Sequence, residues 1–527
     1  MPLASQRRLF VPLVAAALAH EVVDDCTDAF YPPDTQPLGN VTVHNGVALK
    51  DVCITHAAPY HVFVIGDWGG TGDPPSPAEN RQLHEGDTDV QQRVADQMNQ
   101  LALNNATLDY VLNVGDSFYW GGIERSCLET LDWSPQWSSV FNNVYNGPAL
   151  QGKPWLGVLG NHDYGGWRYS SGWGQIIAMT WVDSRWRIPA QYWSSRVRYP
   201  DFSVDYYFVD SNHFSCSSPE SNPKHNMCSS EHNGAGDDCA EMGGPDSSDS
   251  CPSYFGDLWH QQEAWLSEQL ALSTATWRIV VTHIPPQHGP WKDIAEKFGI
   301  DLVVCGHVHY QRLYRQSDAG NPIAPTGLIV SGGGGGITAE NIPDVEGHDD
   351  QYGFVDLELS KDRIGVRMLS HGGQLRGETD IEHCYEGSAG HMKAICKVDR
   401  SHHADDGGDS TTTESASVTT HTSTSTTTTE EPNLFKSTFD RIKALVGLSE
   451  LVHTPLLEDG EAHLGAFGVC LFVSAAALGL VVVSMLGWAR RRPRRHGYPY
   501  APFGLGHSLA DAASASQCPE RSDPRWH

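Results

Sequence analysis

Positive charge is scarce in this chain of 527 residues. Lys and Arg number 35 against 64 Asp and Glu, a formal net charge of −29 at pH 7. The deficit deepens outside the C-terminal segment. From Arg490 onward seven Arg face only Asp511, Glu520 and Asp523, which leaves −33 for the remainder. Such an acidic exterior disfavours nucleic acid as a partner, although it does not describe a site whose local charge is set by bound ions. Closely spaced cysteine pairs are also missing. Cys216, Cys228, Cys239 and Cys251 lie at intervals unlike the C-x₂₋₄-C spacing of zinc knuckles. The run Gly332–Gly336 is followed by no Gly-Lys-Ser/Thr, which argues against a nucleotide P-loop and for a flexible strand-end loop. No internal repeat of useful length is visible.

Long hydrophobic runs are few, and each has an evident use. Residues 1–19 read as a signal peptide, with Arg7 and Arg8 ahead of the apolar run Leu9–Ala19. Leu464–Ala489 has no charged residue over a length sufficient to cross a bilayer, and an arginine cluster, Arg490 to Arg495, follows it. That asymmetry places the tail 490–527 in the cytosol. Residues 401–432 are a Ser/Thr-rich segment too poor in apolar residues to form a core, expected to be an O-glycosylated stalk, with a juxtamembrane segment at 433–463. The expectation is a type I single-pass membrane protein of the secretory pathway, with residues 20–400 as a lumenal or extracellular domain at the cell surface or in an acidic vacuole. The sequons at Asn40 and Asn105 agree with that compartment, and disulfides are expected there. The Ser/Asp/Gly-rich insert 212–253 is expected to be a disulfide-pinned loop. The oligomeric state is not readable from the sequence.

What is present is a set of five blocks in order: GDWGG at 66–70, GDSFYWGG at 115–122, GNHDY at 160–164, VVTH at 280–283 and GHVH at 306–309. Most follow a short apolar run rich in β-branched or aromatic residues, such as Val62–Ile65, Tyr110–Val114, Trp155–Leu159 and Ile279–Val281, whereas Val90–Leu103 and Leu258–Leu272 show helical spacing. Functional side chains at strand C-termini are where open α/β sheets place their ligands. Later strands at Gly353–Leu359 and Ile364–Leu369 suggest a second sheet packed against the first. The expected fold is an α/β, four-layer α/β/β/α sandwich, extended by the C-terminal transmembrane helix.

Any one block is weak, since Gly-Asp after a strand is usually a turn and a lone His is usually structural. Five in order supply enough carboxylate, amide and imidazole for two metal ions, which together generate a nucleophile and neutralise phosphoryl oxygens. Asp116, central in the set, is the natural bridging carboxylate, with Asp67 terminating one side and Asn161 the other. His283, His307 and His309 complete a site suited to iron, zinc or manganese.

The set resembles the metallophosphoesterase superfamily and, within it, the purple acid phosphatases, whose motifs are GDxG, GDxxY, GNH[DE], VxxH and GHxH. The usual metallophosphoesterase carries a His two positions after the first Asp. Here Gly69 stands there, and Tyr119, three residues after the bridging Asp, is the compensating ligand of the purple branch. The resemblance covers roughly 58–372, and the small tartrate-resistant animal type looks nearest because no separate N-terminal β domain precedes the first block. It implies that Asp67, Tyr119 and His309 bind Fe(III), that Asn161, His283 and His307 bind a divalent ion (Fe(II), Zn or Mn), and that Asp116 bridges them. It implies His162 as the proton donor to the leaving alkoxide, after in-line attack by a metal-held hydroxide. Two departures concern the substrate side: Tyr164 stands where that type commonly has a second histidine, and His288 follows His283 in a shortened segment, where it would contact substrate.

The resulting expectation is an acid phosphatase that releases inorganic phosphate from phosphate monoesters. Its rivals are a phosphodiesterase or nucleotide pyrophosphatase on the same centre, and a surface receptor keeping an inactive phosphatase fold.

Overall fold

The computed structural model describes residues 26–398, apart from 71–86, 105–106, 131, 288 and 338–341. The expected leader, stalk, juxtamembrane segment, span and tail lie outside the described residues, as do Asn105 and His288. Among the described residues, no helix is long and apolar enough to cross a membrane.

Two mixed sheets stack face to face. In the first, Tyr60–Ile65, Leu108–Asn113, Trp155–Gly157 and Trp186–Arg187 run parallel, and Gly353–Leu359, Ile364–Ser370 and Leu375–Ile381 continue the other edge antiparallel. In the second, Ser203–Val209, Trp277–Thr282, Leu302–Cys305 and Gly327–Ser331 are parallel, flanked by antiparallel Trp193–Arg198 and Gln311–Tyr314.

The period-two alternation of side chains along each strand sorts the core into layers. Val62, Val64, Tyr110 and Leu112 of the first sheet meet Tyr206, Phe208, Ile279, Val281 and Val304 of the second in one apolar cluster. Their neighbours Phe63, Ile65 and Val111 face outward onto Val94 and Met98 of the helix Val90–Asn104. On the other outer face, Tyr207, Val209, Val280 and Val303 pack with Trp259, Leu266 and Leu270 of the helix Cys251–Leu272, and with Ile294 and Phe298 of the helix Trp291–Phe298. Four layers result, because every central strand is buried on both faces and each outer face needs a helix to exclude water.

The strands divide differently from the sequence expectation. Gly353–Leu359 does not start the second sheet but pairs antiparallel with Tyr60–Ile65, with Val355 opposite Val64. The second sheet comes from residues in the middle of the chain. The insert is pinned as expected: Cys228–Cys251 closes it onto the first turn of its long helix, and Cys127–Cys239 ties it to the loop that follows the second block. Cys26–Cys53 and Cys384–Cys396 secure the two ends of the described domain.

Candidate metal centre

Ile65, Asn113 and Gly157 stand side by side in register, so the first three blocks leave the first sheet at one level. His283 and His307 follow Trp277–Thr282 and Leu302–Cys305, which are adjacent strands of the second sheet. All seven expected ligands converge there. Asp67, Asp116 and His307 hold φ of 59°, 53° and 69°, a left-handed conformation costly for residues with a Cβ and frequent at sites where function fixes the backbone.

The ligand-type atoms fall into two groups that share one oxygen. In the first, the Tyr119 hydroxyl lies 3.1 Å from Asp67 Oδ1 and 2.9 Å from Asp116 Oδ2, with His309 Nε2 3.5 Å away. In the second, Asn161 Oδ1 lies 3.1 Å from His283 Nε2 and 3.0 Å from His307 Nδ1, and His283 Nε2 is 3.3 Å from Asp116 Oδ2. Asp116 Oδ2 belongs to both. His283 Nδ1 is 2.8 Å from the Val114 carbonyl, so that nitrogen donates and Nε2 turns its lone pair to the centre.

That lone pair faces an amide oxygen and a carboxylate oxygen, a meeting of acceptors that only a proton or a cation can reconcile. The acid–base balance carries the same demand. Burial, with the Asp116 charge behind it, pushes Asp67 well above the carboxylate range, and burial followed by the two carboxylates raises the Tyr119 phenol. Burial disfavours the charged form of His283, yet Asp116 and then Asp67 outweigh it and lift the imidazole to about 9. Burial takes His309 down to about 4 and holds His307 well below the usual imidazole range. Two buried carboxylates, a phenol, an amide oxygen, the neutral His307 and His309 imidazoles and a His283 whose proton a cation would displace are thus a donor set that fits metal ions.

Other groups hold this set in place. Asp163, to which the sequence reading gave no role, accepts the Ser117 and Gly160 amides at 2.8 Å each and so clamps the second block to the third. The His162 amide donates to Asp116 Oδ1 at 2.7 Å, while its ring Nδ1 lies 2.5 Å from the Trp120 carbonyl. A Cβ at Gly336 would lie 2.3 Å from the Tyr119 ring, and the Gly336 amide donates to the Asp67 carbonyl at 2.7 Å. The glycine run therefore follows its strand as expected and lies packed against the first block.

A cavity of about 300 Å³ opens onto the centre, lined by Asp116, Asn161, His162, His307 and His309. Phe214, Asn222, Lys224 and His225 reach it from the insert, which lies between the third and fourth blocks and overhangs the site. Tyr164, at the position where the resemblance would have put a second histidine, is turned into the core. It is buried, donates to Asp210 Oδ2 at 2.8 Å and accepts from Gln191 Nε2 at 2.6 Å. Asn40 is exposed. The aromatic lining of Trp120 and Trp167 was missed, although Trp120 lies inside the second block.

Residues 60–311, which include all five blocks, match the calcineurin-like phosphoesterase family. Tartrate-resistant acid phosphatase type 5 of Oryctolagus cuniculus is 25% identical over 299 residues, covering 53% of this chain and 74% of that protein. Purple acid phosphatase 17 of Arabidopsis thaliana is 29% identical over 288 residues, covering 52% and 67%. Among solved structures, GAP50, the anchor in the inner membrane complex of Plasmodium, aligns at 15% identity and a TM-score of 0.42, over 63% of this chain and 90% of that one. The purple acid phosphatase PPD1 of yellow lupin aligns at 14% identity and a TM-score of 0.37, over 64% and 56%.

Proposed function

From a calcineurin-like phosphoesterase domain at residues 60–311 with tartrate-resistant and purple acid phosphatases among its relatives, we propose that this chain is a dimetal acid phosphatase that hydrolyses phosphate monoesters to inorganic phosphate. The observation that carries the reading is the meeting of two sets of ligand-type atoms at Asp116 Oδ2.

On this reading Asp67, Tyr119 and His309 hold Fe(III), Asn161, His283 and His307 hold a divalent ion, Fe(II), Zn or Mn, and Asp116 bridges. When bound, the two ions supply Lewis acidity toward the phosphoryl oxygens and a nucleophile in acid solution. The chain's own residues do the rest. The Val114 carbonyl and the His307 amide, which donates to Asp67 Oδ2 at 2.9 Å, fix the ligand geometry. His162 lines the cavity with Nδ1 committed to the Trp120 carbonyl, which leaves Nε2 as the nitrogen that hands a proton to the leaving alkoxide.

The substrate is a small phosphate ester, in keeping with the cavity volume, and nucleic acid is not a partner. The four disulfides among the described residues support an oxidising compartment. With them goes the expected type I topology, one span at 464–489 anchoring a lumenal or extracellular domain.

The test is hydrolysis of aryl phosphate mono- and diesters across pH by the purified full-length protein. Monoester turnover with an acidic optimum is expected, and His162→Ala should lower it by about 10²–10⁴ with poor leaving groups. Turnover of the diester alone, or none of either ester by metal-loaded protein, contradicts the reading.

A further inference from the structure

The cavity wall beside His162 carries two side chains with no part in the chemistry above. Trp120 and Trp167 line the cavity and are 41% and 39% exposed, whereas Trp68, Trp155, Trp173, Trp186, Trp193 and Trp277 are buried to below 2%. Exposed indoles are costly to keep in water and, at the mouth of a site, mark a surface meant to be covered.

Their arrangement has a direction. The Trp120 ring centroid lies 5.1 Å from the His162 ring and 6.0 Å from that of Trp167, and Trp167 lies 5.2 Å from His232 of the insert. An aromatic strip thus begins at the proposed proton donor and runs to the insert. The leaving oxygen must be within hydrogen-bond reach of His162, and the strip is the aromatic surface that adjoins that ring within the cavity.

We propose that Trp120 and Trp167 form a leaving-group subsite that selects phosphate monoesters of planar aromatic alcohols over those of aliphatic polyols. A flat ring laid against the indoles covers apolar surface on both partners and gains the offset or edge-to-face contact that aromatic pairs prefer. A polyol offers no such face and leaves both indoles in water. The proposal rests on the monoesterase reading for its catalytic arm.

The test uses the full-length protein, its Trp167→Ala and Trp167→Phe variants, and two readouts. The first is the ratio of kcat/KM for 2-naphthyl phosphate to that for glycerol 2-phosphate, in which any general loss of activity cancels. It should fall by about three- to tenfold in Trp167→Ala, the scale of one aromatic contact, and recover in Trp167→Phe. The second needs no turnover: binding of naphthylmethylphosphonate against methylphosphonate, followed by indole fluorescence. The aryl phosphonate should bind more tightly and lose that advantage in Trp167→Ala. A ratio unchanged in Trp167→Ala overturns the subsite. If neither ester is hydrolysed, the monoesterase reading fails and the phosphonates decide the subsite alone, equal affinities overturning it.

Discussion

The Tyr119 backbone amide donates to the Gly69 carbonyl oxygen at 3.0 Å, and a Cβ added to Gly69 would lie 1.7 Å from the Ser117 carbonyl oxygen. The two substitutions that separate these blocks from the ordinary metallophosphoesterase pattern are therefore one structural fact. The second block's backbone occupies the space that a side chain at position 69 would need. The same close approach brings the Tyr119 phenol against Asp67 and Asp116, where it would supply the ligand that position 69 cannot.

Gly69→Ala should accordingly force the two blocks apart. Overpacking of this kind costs about 1–3 kcal/mol, and the displacement falls on Asp67 and Tyr119 together. Thermal unfolding should show a lowered Tm and metal analysis a reduced occupancy. A variant with the Tm and metal content of the wild type would mean that the Ser117 segment yields freely.

Asp163→Ala should be more damaging than loss of an acidic side chain usually is. Its carboxylate satisfies two buried amides, those of Ser117 and Gly160, and each orphaned donor costs about 1–3 kcal/mol. Because these amides flank Asp116 and Asn161, the loss should appear in kcat as well as in urea unfolding. Asp163→Asn, which keeps one acceptor, should fall between. Equal stability of Asp163→Ala and wild type would contradict the clamp.

The reach of the sequence reading follows from the range of the interactions involved. The five blocks are contiguous, and each follows a strand that its own side chains specify, so the residues that converge at the centre were legible one by one. The partition of strands between sheets was not. The pairing of Val355 with Val64 joins segments nearly 300 residues apart, and apolar alternation in either says nothing about its partner. Where Tyr164 points its phenol was not legible for a related reason. It follows Asp163 in a site motif, but its phenol is committed to Asp210 and Gln191 in the core, which no local pattern records. The insert is tied to the loop after the second block by Cys127–Cys239, a pairing that sequence cannot supply.

Asp210, outside the ligand set, gives the domain a pH signature. Burial raises its carboxyl from 3.8 to about 6, against the opposing hydrogen bonds from Asn212 and Tyr164. A carboxyl raised on folding favours the folded state while protonated, so the contribution is complete below about pH 4 and is lost as pH rises through about 6. The loss amounts to about 3 kcal/mol in all. Denaturant unfolding of the wild type and Asp210→Asn between pH 4 and 7 should show the wild type losing stability relative to the variant over that interval. A difference independent of pH would show that the carboxyl titrates alike in the folded and unfolded chain.

The central claim is that Asp67, Asp116, Tyr119, Asn161, His283, His307 and His309 hold two metal ions with Tyr119 on ferric iron. The most direct test is metal analysis together with the visible spectrum of the purified full-length protein and its Tyr119→Phe variant. The account predicts about two metal ions per chain, iron among them, and a phenolate-to-iron absorption band that Tyr119→Phe abolishes. Protein that takes up one ion or none, or a visible band that survives the substitution, would contradict it.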